Sequence, residues 1–198
     1  MIENQLITYE TLIEGEHYSN CVIENKSSNL KFHDIYFEKC QFQHENCTKY
    51  EFLDCQFFHC DFSNYNFKEA IFYRCQFQSC KLMGCDFSFS RFKDVLMMDS
   101  DLSYLNASNT KIEKTSFSHC NMEEMFLLKM EFKELKLKES NINRADFSEV
   151  KLKGLDVSSC TFDYFIFTLE SKYMKGLIID EFQASRLIRL FGLVIKED

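Results

Sequence analysis

The chain has 198 residues, a formal net charge of −8, 22 phenylalanines, ten cysteines, five glycines and no proline or tryptophan. That acidity argues against direct nucleic-acid binding and for a basic protein surface as partner. No apolar run approaches the roughly 18 residues of a membrane span, and no signal-peptide pattern opens the chain. The thiols therefore read as reduced, and the chain is expected in the cytoplasm, away from membranes.

The first nine residues carry no clear pattern and are expected to form a lead-in or cap. From Glu10 to Leu169 the chain reads as a continuous repeat of five, a period that fits neither a helix nor a plain strand. Every fifth residue from Leu12 to Phe167 falls on one column of 32 positions, and 16 of the 22 phenylalanines lie on it. Phe52, Phe57, Phe62, Phe67, Phe72, Phe77, Phe87 and Phe92 form its densest stretch and are the expected core. His17, Ser27 and Cys47 interrupt the column near its start. A fixed short period marks a solenoid, in which each coil buries its apolar side chains against the next.

The residue two before each column position belongs to a second, mostly small set that includes Cys55, Cys60, Ala70, Cys75, Cys80 and Ser90. Small side chains beside phenylalanine suit an interior packed at crystal-like density. Eight of the ten cysteines lie in this set and Cys47 lies on the column, with no Cys-x-x-Cys pair anywhere. They read as buried free thiols, so neither a metal nor a cofactor is expected. On this reading Cys75→Ser should cost more than a surface exchange, because an inward hydroxyl needs a hydrogen-bond partner.

The pentapeptides CDFSN (60–64), CDFSF (85–89), SDLSY (100–104) and ADFSE (145–149) resemble the pentapeptide-repeat family. The resemblance implies an all-β fold, a right-handed quadrilateral β-helix over residues 10–169 with one pentapeptide per side. Thirty-two pentapeptides then make eight coils, a rod of about 35–40 Å at one strand spacing per coil.

Sorting charges by their place in the 20-residue coil gives four faces. The first, with Phe52 and Phe72, carries nine acids and nine bases; the second, with Phe57 and Phe77, five acids and three bases. The third, with Phe62 and Leu82, holds Glu24, Asp61, Asp101, Glu123, Glu124 and Asp163 against only Lys81 and Arg144. The fourth is nearly balanced, five against four. Acidity thus gathers on two adjacent faces, where Asp99, Glu139 and Asp156 of the second join Asp61, Asp101, Glu123, Glu124 and Asp163 of the third as candidate partner contacts. Outward apolar residues also occur: Phe58, Leu96 and Met98 on the second face, and Phe126, Leu128 and Ile166 on the fourth. The first three form a candidate patch.

Residues 170–198 leave the period and contain a predicted helix capped by Asp180, with Glu181 in its first turn and Gly192 past its end. Ala184, Leu187, Ile188 and Phe191 make its apolar stripe. Capping the last coil needs such an element, yet the apolar extension Leu193–Val194–Ile195 exceeds what a cap requires. The order KGLIID (175–180), FQAS (182–185), LFGLVI (190–195) resembles the C-terminus of the Qnr-type quinolone-resistance proteins. That resemblance implies a homodimer through Phe182, Leu187, Ile188, Phe191, Leu193, Val194 and Ile195. It also implies a DNA mimic that binds type II topoisomerases, DNA gyrase or topoisomerase IV, and protects them from quinolones. The unbroken register from Phe52 to Phe167 matches loop-free members. The alternative is a pentapeptide-repeat scaffold whose partner is unrelated to topoisomerases.

An enzyme is not expected. His59 and His119 share a face but lie three coils apart, roughly 14 Å at the strand spacing, and no phosphate loop or nucleophile motif occurs.

Overall fold

The structure, a computed structural model, describes residues 1–27, 30–189, 192, 194 and 196. The chain winds as a four-sided β-solenoid of about eight turns. Parallel pairing at 20-residue register runs through Phe32, Phe52, Phe72, Phe92, Ile112 and Phe132 on the first face. On the second it runs through Phe37, Phe57, Phe77, Met97, Phe117 and Leu137. The third and fourth faces carry mostly single bridges per coil, such as Asp61↔Lys81↔Asp101 and Asn66↔Asp86↔Asn106.

The residue just before the column position sets this difference. On the third and fourth faces it is usually Asp or Asn, whose side-chain oxygen accepts the N–H two residues on, as Asp86 does from Ser88 at 2.8 Å and Asn66 from Lys68 at 3.0 Å. Such Asx turns pull the backbone out of a strand. From Lys31 to Lys138 the first two faces place no Asp or Asn there and are strands, Glu51–Leu53 and Leu96–Met98 for example. Asp156, the aspartate that stands in this place on the second face, turns its own side from strand to turn by bonding Ser158 N–H at 2.9 Å. Lys81 and Phe126 follow their neighbours without an Asx bond.

From Lys49 to Gly154 each corner places a left-handed residue two after the column position, with φ between +46° and +81°. Only Gly84 and Gly154 meet this with glycine. The other corners hold L-residues in a region that costs roughly 1–2 kcal/mol each.

The eight expected core phenylalanines are all at most 2 % exposed. Rings stack coil on coil: Phe52 on Phe72 at 5.0 Å and Phe57 on Phe77 at 4.6 Å, with edge-to-face contacts between sides such as Phe57–Phe62 at 5.5 Å. Such pairs add to plain area burial. All ten cysteines are free and buried. Burial pushes the Cys75 and Cys85 thiols up to about 12, so neither ionises at neutral pH.

The small inward set does more than fill space. Cys75 Sγ donates to the Phe52 carbonyl of the previous coil at 3.3 Å; Ser90 Oγ does the same to Phe67 at 2.8 Å and Thr110 Oγ1 to Phe87 at 2.9 Å. An inward hydroxyl therefore finds an acceptor, and the expected penalty for Cys75→Ser disappears.

The repeat is not continuous at its start. Tyr18 pairs with Phe37 and Ile23 with Phe42, a register of 19, and both side chains are fully buried. His17 and Val22, assigned to the column by period, face outward, and Ser27 is exposed. One residue is missing between Ile23 and Phe32. Asn25, 2 % exposed, holds this slip: its amide donates to the His44 carbonyl at 2.9 Å and its oxygen accepts His44 N–H at 2.8 Å. A one-residue slip reverses which side chains face inward, which is why the column looks weak there. The first nine residues supply two short strands, Ile2–Glu3 and Leu6–Thr8, that pair with His17–Ser19 and Val22–Glu24.

At the other end α1 (Ser171–Met174) and the following residues accept ladder bonds from Leu152, Gly154 and Val157. Then α2 (Glu181–Arg189) closes the rod. Asp180 Oδ1 accepts Gln183 N–H at 2.7 Å and Gln183 Oε1 accepts Asp180 N–H at 3.1 Å, a reciprocal cap. The Gln183 amide also donates to the Val157 and Cys160 carbonyls, both at 2.9 Å, and Arg186 donates to the Phe162 carbonyl. Backbone acceptors that have no following coil are thus satisfied by side chains.

Phe72→Ala should lower unfolding free energy by about 3–5 kcal/mol, while Cys75→Ser stays within about 1 kcal/mol, read by chemical denaturation. Tyr18→Ala should destabilise strongly where His17→Ala does not; equal effects would put the register back at 20. In the native state the ten thiols should react slowly with an aromatic disulfide reagent, and quickly once unfolded.

Candidate partner-binding faces

All eight acidic residues expected to meet a partner lie on the outside of the rod, where the solenoid places them, but most are engaged by their own chain. Asp61 Oδ1 accepts the Ser63 N–H at 3.1 Å and hydroxyl at 2.7 Å, and Oδ2 lies 3.5 Å from Lys81 Nζ. Asp101 makes the same pair of bonds to Ser103 and accepts the Asn121 amide at 3.1 Å. Asp156 repeats the turn with Ser158. Glu123 and Glu124 share Arg144 at 2.5 and 2.9 Å. Asp163 lies 3.6 Å from Arg186, and Glu139 lies 3.6 Å from His119. Asp99 is exposed at a left-handed corner and has no ion pair among the described residues.

The chemistry follows. Hydrogen bonds from the Ser158 hydroxyl and N–H hold the Asp156 carboxyl below the usual range. Burial works to raise Asp61, but Ser63 and Lys81 together leave it lowered. Glu123, then Glu124, holds the Arg144 guanidinium above its ordinary value. Charge pairing leaves the net charge of the third face unchanged while pinning its carboxylates to fixed positions. Sequence counting found the acids but missed that three of them belong to turns; the signal was present as Asp-x-Ser at 61–63, 101–103 and 156–158.

The C-terminal residues expected at a dimer interface separate. Phe182 is 83 % exposed, Ile188 38 % and Val194 93 %, and Ile178, which bridges to Asp156, is 48 % exposed. Leu187 is 6 % exposed and packs with the core of its own chain, where it serves the cap. Phe191, Leu193 and Ile195 lie outside the described residues. No helix of the described residues is long and apolar enough to cross a membrane. No cluster of three or more His, Cys, Asp or Glu able to hold a metal occurs among them.

The depressed aspartates predict the acid limb of stability. Arg74, then His33, holds the Asp54 carboxyl low, and Asp156 is low through Ser158. A carboxyl lowered by folding adds stability above the ordinary aspartate pKa of about 3.9, and that stability is lost as pH falls through the folded value. Melting temperature should therefore drop on going from about pH 5 towards pH 2. Asp54→Asn and Asp156→Asn should each flatten that drop, Asp156→Asn without disturbing a turn that asparagine makes elsewhere in the rod.

Two family models match the chain, "Pentapeptide repeat region" over residues 70–147 and "Pentapeptide repeats (8 copies)" over 51–88. No curated protein sequence matches. Among solved structures, two trypsin-treated variants of QnrB1, a plasmid-mediated fluoroquinolone resistance protein, are 18 and 19 % identical, each with TM-score 0.51. These alignments cover 98 % of this chain and 97 and 99 % of theirs. HetL, a pentapeptide repeat protein involved in heterocyst differentiation regulation from the cyanobacterium Nostoc sp. strain PCC 7120, is 11 % identical at TM-score 0.57, over 91 % of this chain and 90 % of that one. At these identities the likeness is one of fold. With the coil, the stacked phenylalanines and the repeat matches in agreement, residues 51–147 are pentapeptide repeats and the chain has the fold of the pentapeptide-repeat proteins.

Proposed function

We propose that this chain is a non-catalytic interaction rod of the Qnr type, which presents its acidic second and third faces to the basic DNA-binding surface of a type II topoisomerase. DNA gyrase or topoisomerase IV is the partner, and the rod stands in for DNA. The observation that carries the reading is the third face, where six acids meet only two bases and where Asx turns hold Asp61 and Asp101 and Arg144 holds Glu123 and Glu124. A fixed array of negative charge along a rod imitates a phosphate backbone better than mobile side chains do, because little ordering remains to be done on binding. Fold likeness to QnrB1 over nearly the whole length of both chains supports it. The exposed Phe182, Ile178, Ile188 and Val194 at one end support pairing of two rods end to end.

A second reading, a scaffold for a partner unrelated to topoisomerases, draws on the same local pairing: Asp61, Glu123, Glu124 and Asp163 already have cations of their own.

Supercoiling by purified DNA gyrase with rising amounts of the protein, with and without ciprofloxacin, separates the two. Rescue of drug-inhibited supercoiling is the expected result. Inhibition without rescue keeps the mimic and removes the protective role, and no effect at micromolar protein with the fold intact favours the scaffold. Light scattering should show a dimer that Phe182→Glu converts to monomer with an unchanged circular dichroism spectrum.

A further inference from the structure

Beside the acidic third face, the second face carries a strip with no charge at all. Across four successive coils its outward positions are Gln56, Phe58, Gln76, Gln78, Leu96, Met98, Ser116 and Ser118, in a chain that is 27 % charged. These strands are in register, so the strip is flat and about 14 Å long at the ladder spacing. Tyr36 extends it by stacking on Phe58 at 4.5 Å. Its most exposed apolar side chain is Leu96, at 45 %.

The rung that holds Leu96 and Met98 is bounded at both corners by a carboxylate, Asp94 and Asp99, both left-handed at φ +54° and +51°. Neither has an ion-pair partner among the described residues, unlike the acids of the third face. An apolar pair between two unspent carboxylates repels phosphate and matches an apolar side chain set between lysines or arginines. A second copy of this chain does not fit, since face-to-face contact would oppose like charges at both corners and the strip is small against the roughly 1,200 Å² or more that a stable interface buries.

Building on the topoisomerase reading above, we infer that Leu96 and Met98 are the apolar anchor of that docking surface, seating an apolar side chain of the enzyme's basic surface between Asp94 and Asp99. The acidic third face then gives attraction and orientation, which salt screens, whereas the anchor gives a part of the affinity that salt does not remove.

The test uses the full chain and immobilised DNA gyrase, with affinity measured at about 50 mM and about 300 mM salt. The variants are Leu96→Ser with Met98→Ser, Asp99→Asn, and Phe126→Ser on the fourth face as a control of similar exposure (47 %). Serine already occupies the same two columns one coil later, at Ser116 and Ser118, so the ladder accommodates it; circular dichroism and melting confirm the fold. The double serine variant should bind at least tenfold more weakly at both salt concentrations, the span expected for losing a buried apolar side chain. Asp99→Asn should weaken binding chiefly at low salt, and Phe126→Ser should not change it. Wild-type affinity in the double variant, with gyrase still bound, overturns the anchor and leaves the topoisomerase reading standing. No binding by the wild-type chain overturns both.

Discussion

The left-handed residue at successive corners from Lys49 to Gly154 is the constraint on which the rest of this molecule depends. A side of five residues closes into a square only if the backbone turns sharply after every third outward position, and it does so at φ near +50° to +80° in residues as large as Phe89 and Tyr104. Those corners are individually unfavourable. They persist because the ladder bonds and stacked rings of adjacent coils over-determine them: Asn64 N–H, at a corner, bonds the Met83 carbonyl of the next coil at 2.8 Å. Each coil is held by its neighbours, so the ends need separate treatment, and both have it.

Those two ends use polar side chains to replace missing backbone. Near the start, Asn25 bonds both backbone groups of His44 where a residue has been lost from the coil. At the finish, Gln183 and Arg186 take up carbonyls of the last coil while Leu187 covers its apolar interior. The helix that caps the rod therefore has one buried face, and its other side leaves Phe182 and Ile188 exposed for a further role.

Function on such a rod lives in outward side chains, and the four faces differ for local reasons. Asx turns put aspartate on the third face as part of the turn itself, so acidity there is partly a by-product of folding that the proposed mimicry exploits. As far as Lys138 the second face stays a true strand, free of the need for aspartate, and so has room for an uncharged strip that includes Leu96 and Met98. Charge and apolar contact thus lie on neighbouring sides of one rigid body, separated by a single corner.

The five-residue period, the phenylalanine column from Phe52 onward, the buried thiols and the capping helix were legible in the sequence because each depends on spacing along the chain. What a side chain meets 16, 19 or 20 residues away is not a local property. The inward choice of Tyr18 over His17 and the acceptor waiting for an inward hydroxyl at Cys75 came only from the folded coil. So did the pairing of Glu123 and Glu124 with Arg144, and the burial of Leu187 against its own rod. Period fixed which positions repeat; contacts between coils decided which groups are satisfied and which remain free to bind.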